Sequence, residues 1–327
     1  MLEFTPTLRR WLCAGVLLAC AQALAQPAWP DKPIRIVVST PAGGPIDALA
    51  RILGEGVGRQ LKQTVIVENR AGGTGSIALG HVIKQAPDGY TVLITANAAF
   101  ALTPILRKMP YRPFEDFSFI GRLAFTPDVF VVPAASPVHS LQELVALAKA
   151  RPGKLNYGMM LGVSQHLDFE RFKKDTGVDI VLVPYTGGAP IANGLLGGQV
   201  QVTLLNAPLF FEWAKAGKVR VLATSAGARA AALPEVPTLA EAGLPQLRLS
   251  GGSFYSLVAP AGLPPAIALR LFLAFSAAAT EPALRARLEA LGFEISLRDG
   301  AGLRQDLQRE TTENEKLVKT LDIKLIE

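Results

Sequence analysis

With 327 residues, half of them hydrophobic and 18% charged, the chain is long enough for two packed domains and too apolar for disorder. Its net charge of +6 comes from basic residues that are scattered or at most paired, as in Arg107-Lys108 and Lys173-Lys174, with no interleaved aromatics. That pattern argues against a nucleic-acid surface. The only cysteines, Cys13 and Cys20, fall in the first 25 residues, so the rest has no disulfide, thiol nucleophile or cysteine metal site.

The chain opens with Arg9 and Arg10, a short apolar run, and Ala23-Leu24-Ala25. A positive stretch, an apolar core and a small-x-small site read as a cleavable export signal over residues 1–25. Cys20 in "LLAC" loosely resembles a lipoprotein anchoring site, but Leu18 is unusual in such a box. Cleavage after Ala25 is therefore expected, with an exported product. No later segment has the length and apolarity of a membrane span.

Next comes an alternation. "PIRIVVS" (Pro33 to Ser39) reads as a buried strand. Ile46, Leu49, Leu53, Val57 and Leu61 recur at helical spacing behind Pro45, which suits a first helical turn. "TVIVEN" is a strand, "GSIALGHVIKQ" a helix that must stop before Pro87, and "TVLITA" a third strand. Strands alternating with helices predict a parallel sheet covered on both faces. In the middle of the chain, Ser140 and Glu143 form a capping box opening a helix that Pro152-Gly153 ends. Strands at "KLNYG", "DIVLVPY", "QVQVTLLN" and "KVRVLATS" follow, separated by helices. "SFYSLVAP" reads as a last strand, and the remaining tail as mostly helical.

Two strands of the first unit run into nearly uncharged glycine loops: Thr40-Pro41-Ala42-Gly43-Gly44 and Ala71-Gly72-Gly73-Thr74-Gly75. Glycines let a ligand approach the backbone, and helix N-termini offer unpaired N–H groups to anions. Such loops could grip one carboxylate, or they could merely turn strand into helix. Asp47 and Arg51 read as an i,i+4 pair, with Asp47 also placed to tie the first loop through its backbone N–H groups. The Gly73-x-Gly75-x-x-Ala78 string matches a loose dinucleotide fingerprint but lacks the acidic residue after a second strand. His81, His139 and His166 lack metal-ligand spacing, and no nucleophile motif is present. No catalytic residue, metal or cofactor is expected.

The series "WPDKPIRIVV", "PAGGPIDALAR", "VIVENRAGGTGSIALG", "APDGYTVLIT", "ARPGKLNYG", "VDIVLVPYTGGAPIANGLLGGQV" and "ALPEVPTLAEAGLP" resembles the Bug family across the whole mature chain. Those proteins are the substrate-binding components of tripartite tricarboxylate transporters. The resemblance implies a two-domain α/β periplasmic binding protein of the Venus-flytrap type, each domain a mainly parallel sheet flanked by helices. On this reading residues 26–128 and 248–327 form the first domain and residues 129–247 the second. It also implies that both glycine loops hold a ligand carboxylate, and that the chain is a monomer serving the membrane subunits of a transporter or, alternatively, a sensor kinase.

This chain departs from the family in the second domain. Met159-Met160-Leu161 with Ser164 stands where a small polar loop is usual, and Leu205-Asn206 where Asp-Asn is frequent. Either these side chains pack inward, or the ligand has an apolar or aromatic distal end; the second is expected, with Thr186 and Asn206 as polar contacts and Phe100 and Phe254 as walls.

Overall fold

The computed structural model describes residues 29–230 and 232–323. The expected leader, its cleavage site and the alternative anchor at Cys20 lie outside the described residues. Among those described, no single helix is long and apolar enough to cross a membrane.

The chain begins with β1 (Ile34–Val38), α1 (Pro45–Leu61), β2 (Val65–Asn69), α2 (Ser76–Val82) and β3 (Thr91–Ala96). β1 lies in the middle and pairs in parallel with both β2 and β3. Its register sets Val38 beside Asn69 and Ile94, so the carboxyl ends of three strands stand together. α1 starts with Pro45 in its first turn and buries the apolar stripe read from the sequence, Ile46, Leu49, Leu53, Val57 and Leu61. Each such burial contributes roughly 1.5–3 kcal/mol. Two short turns, α3 (Ala98–Ala101) and α4 (Thr103–Leu106), follow β3.

Then comes a strand the sequence reading did not assign, β4 (Phe117–Pro133). It supplies both lobes. Its first half pairs with β9 (Gly252–Pro260) and β10 (Glu294–Asp299), and its second half with β7 (Thr203–Asn206) and β8 (Val219–Thr224). Every one of these pairings is antiparallel, as is β3 with β9. The sheets are thus mixed, and the expectation of mainly parallel sheets holds only for β1–β3 and for β5 (Leu155–Met159) with β6 (Ile180–Pro184). For β4 and β9 the reason is topological: a strand that leaves one lobe and a strand that returns to it run in opposite directions. β10 also corrects the expectation of a mostly helical tail, which otherwise holds in α9 (Pro265–Thr280), α10 (Pro282–Ala290) and α11 (Gly300–Thr320).

The second lobe carries α5 (Leu141–Ala150), α6 (Ser164–Thr176), α7 (Gly188–Leu196) and α8 (Phe211–Lys215) around these strands. The capping box is present: Ser140 accepts from the Glu143 N–H at 3.1 Å, and Glu143 accepts from the His139 N–H at 2.7 Å. One hydrophobic cluster, from Val129 to Leu247, fills this lobe. Two others, drawn from residues 34–124 and 255–307, fill the first. A small fourth cluster joins the lobes by packing Leu167 of α6 against Ala98, Leu102, Leu106 and Val318.

Topology fixes which ends face each other. β3 runs toward the start of β9, and Ala96 pairs with Tyr255. β7 runs toward the middle of β4, with Asn206 opposite Asp128. β5 runs parallel to the segment leading into β7, through the Tyr157–Val202 bridge. The carboxyl ends of the strands in both lobes therefore look at one another across residues 126–128 and 250–253. That is where open α/β sheets bind ligands.

Candidate ligand-binding cleft

The two glycine loops leave neighbouring strands and stay together. Asn69 donates from Nδ2 to the Thr40 carbonyl at 3.1 Å and to Asp47 Oδ1 at 2.9 Å. The Gly43 N–H donates to Asp47 Oδ2 at 2.9 Å, and Arg51 pairs with the same carboxylate at 3.0 Å. Burial opposes ionisation of Asp47, but Arg51, the Gly43 N–H and Asn69 outweigh it and hold the carboxyl below its ordinary value. Asp47 thus ties the first loop, as the sequence suggested, and it also ties that loop to the end of β2 through Asn69. Asn69 was not singled out in the sequence, because nothing in "VIVEN" marks its side chain as the bridge.

The second loop is tightly wound. Residues 72–75 all have positive φ, including Thr74 at 53°, and the Gly75 N–H closes back on the Gly72 carbonyl at 3.0 Å. At Gly73 the φ is 56° and an added Cβ would lie 2.1 Å from Ser76 Oγ, so a side chain there is strained and Ser76 would have to turn. Gly75 lies against Ser39, the residue just after the first strand, which shares a 2.8 Å hydrogen bond with Thr95. Pro41, Ala42, Gly43, Ala71, Gly72, Gly73 and Thr74 are exposed, Gly44 is half-buried, and Thr40 keeps a buried hydroxyl without a partner. Bare, open backbone is thus concentrated at the carboxyl ends of β1 and β2.

The second-lobe residues divide. Met159 and Leu205 are 0% and 1% exposed and belong to that lobe's core, so they pack inward. Met160 is partly buried against the same core, while Leu161 is 37% exposed. The expected apolar lining narrows to Met160 and Leu161. Ser164, in the first turn of α6, is buried with its hydroxyl unpartnered, and Thr186 is exposed. Phe100 does not wall a cleft: it stacks edge-on against Phe117 and Phe119 inside the first lobe, whereas Phe254 is half-buried beneath the Arg122 guanidinium. The loop holding Leu161 meets the first lobe where Thr103 Oγ1 donates to the Gly162 carbonyl at 3.3 Å.

Beneath the loops, the two linking segments carry a buried polar network that the sequence reading missed. Asp128 of β4 accepts at Oδ1 from Gln165 at 3.0 Å and from Asn206 at 2.7 Å. Thr126 and Tyr255 share a 2.9 Å hydrogen bond, and the Ser250 N–H donates to both oxygens of Asp168 at 3.0 Å. Burial pushes the Asp128 carboxyl up to about 8, against the pull of its amide donors and with a further push from Asp168. Among the described residues no cluster of His, Cys, Asp and Glu could hold a metal ion.

The profile of the tripartite tricarboxylate transporter family receptor matches residues 49–323. The chain belongs to this family. It is 34% identical to BugT of Bordetella pertussis, over 79% of this chain and 80% of that protein. R. palustris Rpa4515, solved with adipate, superposes with a TM-score of 0.84 at 32% identity, covering 90% of this chain and 98% of that one. MatC of Rhodopseudomonas palustris, solved with malate, gives 0.79 at 28% identity, covering 89% and 100%.

For this tripartite tricarboxylate transporter family receptor, the Asp47 clamp makes a first prediction. Asp47→Ala releases Gly43, Asn69 and Arg51 together. It should lower stability by about 2 kcal/mol in urea denaturation, and it should loosen the first glycine loop.

Proposed function

We propose that this receptor captures a small carboxylate in the cleft between its lobes and delivers it to the membrane subunits of a transporter. The observation that carries the proposal is the pair of open glycine loops set side by side by the Val38–Asn69 register. Bare N–H groups at the carboxyl ends of parallel strands, beside the start of α1, suit one carboxylate held without a charged side chain. The adipate and malate found in related structures support this ligand class. Met160 and Leu161 favour an apolar portion beyond the carboxylate.

The same reading divides the chain into a first domain of residues 26–128 and 248–327 and a second of residues 129–247, exported under the leader of residues 1–25. Closure then bends the two linking segments and brings the second-lobe loop over the ligand.

A thermal-shift screen of the mature protein, stripped of carried-over ligand, tests the proposal. The panel holds monocarboxylates with apolar tails, dicarboxylates, tricarboxylates and amino acids. A ligand at 100 times its dissociation constant adds about 2.7 kcal/mol of stability. Gly73→Val should remove the shift, because a β-branched residue at a φ of 56° strains the loop and displaces Ser76. A full shift in that variant excludes the loop from binding. Silence of the native protein across every carboxylate removes the proposal itself.

A further inference from the structure

The network under the cleft holds two side-chain amides by their nitrogen ends. Asp128 Oδ1 takes hydrogen bonds from both Gln165 Nε2 and Asn206 Nδ2. An oxygen that receives two N–H donors is an acceptor whether or not the carboxyl also carries a proton. Both nitrogens find a second acceptor in Ser253 Oγ, at 3.1 Å for Gln165 and 3.3 Å for Asn206. Asn206 reaches a third in Thr126 Oγ1 at 3.1 Å. Both amide nitrogens face Asp128 Oδ1 in this arrangement, and Oδ2, which has no partner, carries any proton.

The carbonyl ends therefore point away from the network. Neither Asn206 Oδ1 nor Gln165 Oε1 accepts a hydrogen bond from a described residue, and neither is among the buried atoms without a partner. Asn206 closes β7 and Gln165 lies in the first turn of α6, after the loop that carries Leu161. Both belong to the second-lobe ends that face the glycine loops. Gln165 is 4% exposed, and Asp128 behind it is fully buried. In this arrangement the floor of the cleft offers two acceptors, and no cationic side chain takes part in the network. The Ser164 hydroxyl nearby can donate or accept and does not discriminate.

We infer that the cleft selects a carboxylate that also bears a hydrogen-bond donor, a hydroxyl or an N–H group, received by the carbonyl oxygens of Asn206 and Gln165. A second carboxylate at this point would face two acceptor oxygens and is disfavoured. Asp128 acts as a positioning residue that orients both amides. The inference rests on the carboxylate reading above and adds the chemistry of the ligand's other end.

Length-matched probes test it by calorimetric titration of the mature protein: butanoate with its terminal hydroxy and amino derivatives and succinate, and the corresponding hexanoate series with adipate. Within the series that fits, the hydroxy or amino acid should bind about tenfold more tightly than both the parent acid and the diacid, since an unmet acceptor is costly. Asn206→Ala and Gln165→Ala remove the acceptors one at a time, and each should shrink that ratio toward one. A ratio is independent of any general loss of folding in a variant, and melting curves monitor such loss separately. Preference for the parent or the diacid overturns the inference while leaving the carboxylate reading in place. So does a ratio that survives both substitutions. Failure of the native protein to bind any probe removes this inference, and together with silence in the thermal-shift screen it removes the carboxylate reading too.

Discussion

Gly252→Ala should destabilise the protein by on the order of 2–4 kcal/mol and should weaken ligand binding as well. Gly252 starts β9, where the chain returns to the first lobe, and it has a φ of 153°, which L side chains rarely adopt. An added Cβ would lie 2.1 Å from the Thr126 carbonyl oxygen and 2.9 Å from Pro127 Cα. Those contacts are backbone atoms of the opposing linker, so no side chain can turn aside. The two linkers would have to part, and the bonds between Thr126, Tyr255, Ser253 and Asn206 would part with them. Gly251→Ala is the control. Its φ is also positive, at 86°, but an added Cβ would meet nothing nearer than 3.6 Å. It should cost about 1 kcal/mol. Equal melting temperatures for the two variants would show that the linkers do not approach so closely.

Asp128→Asn should remove much of the fall in stability between pH 5 and pH 8 (a window set by the shifts that follow). Burial raises the folded Asp128 to about 8, Glu310 to about 7 and Asp168 to about 6, each despite hydrogen bonds that favour the charged form. An unfolded carboxyl titrates near 4. Between its unfolded and folded values each group keeps a proton in the native state that it has lost in the unfolded state. Stability is then fully present below about pH 4 and is lost as pH rises through the folded value. Each group contributes up to about tenfold in the folding constant per pH unit within its window. Asparagine at position 128 preserves the acceptor that Gln165 and Asn206 require, and it cannot ionise. Urea titrations at successive pH values should show a shallower slope for the variant, with Glu310 and Asp168 supplying what remains. An unchanged slope would mean that Asp128 is already charged in the native protein.

The legible parts of the chain were those set by near neighbours. The apolar stripe of α1, the capping box before α5 and the alternation of β1 to β3 depend on residues a few positions apart, and they appear as read. β4 was not read as a strand, because Gly121 and Thr126-Pro127-Asp128 look like breaks. They are tolerated because each half of the strand belongs to a different lobe, with register shifts near Gly121 and Arg122. Leu205 and Met159 were placed at the site by their loop context. Which face of a short strand end turns inward is decided by the core behind it, and both turned inward. The network at Asp128 joins residues from four separate segments, and single-residue patterns carry no trace of such a meeting. The glycine loops were visible as spacing, while their joining through Asn69 was not.

The passage of β4 and β9 between lobes also bears on how the polypeptide matures. β3 waits for β9, and the upstream half of β4 waits for β9 and β10. All the strands that complete the second lobe lie before residue 225. A chain emerging N-terminus first can therefore finish its inserted lobe while the surrounding one still has an open sheet edge. During that interval β3 presents unpaired backbone groups beside apolar side chains, the usual template for wrong pairing. Helpers that bind nascent chains would find their substrate there, in the lobe that is begun first and closed last.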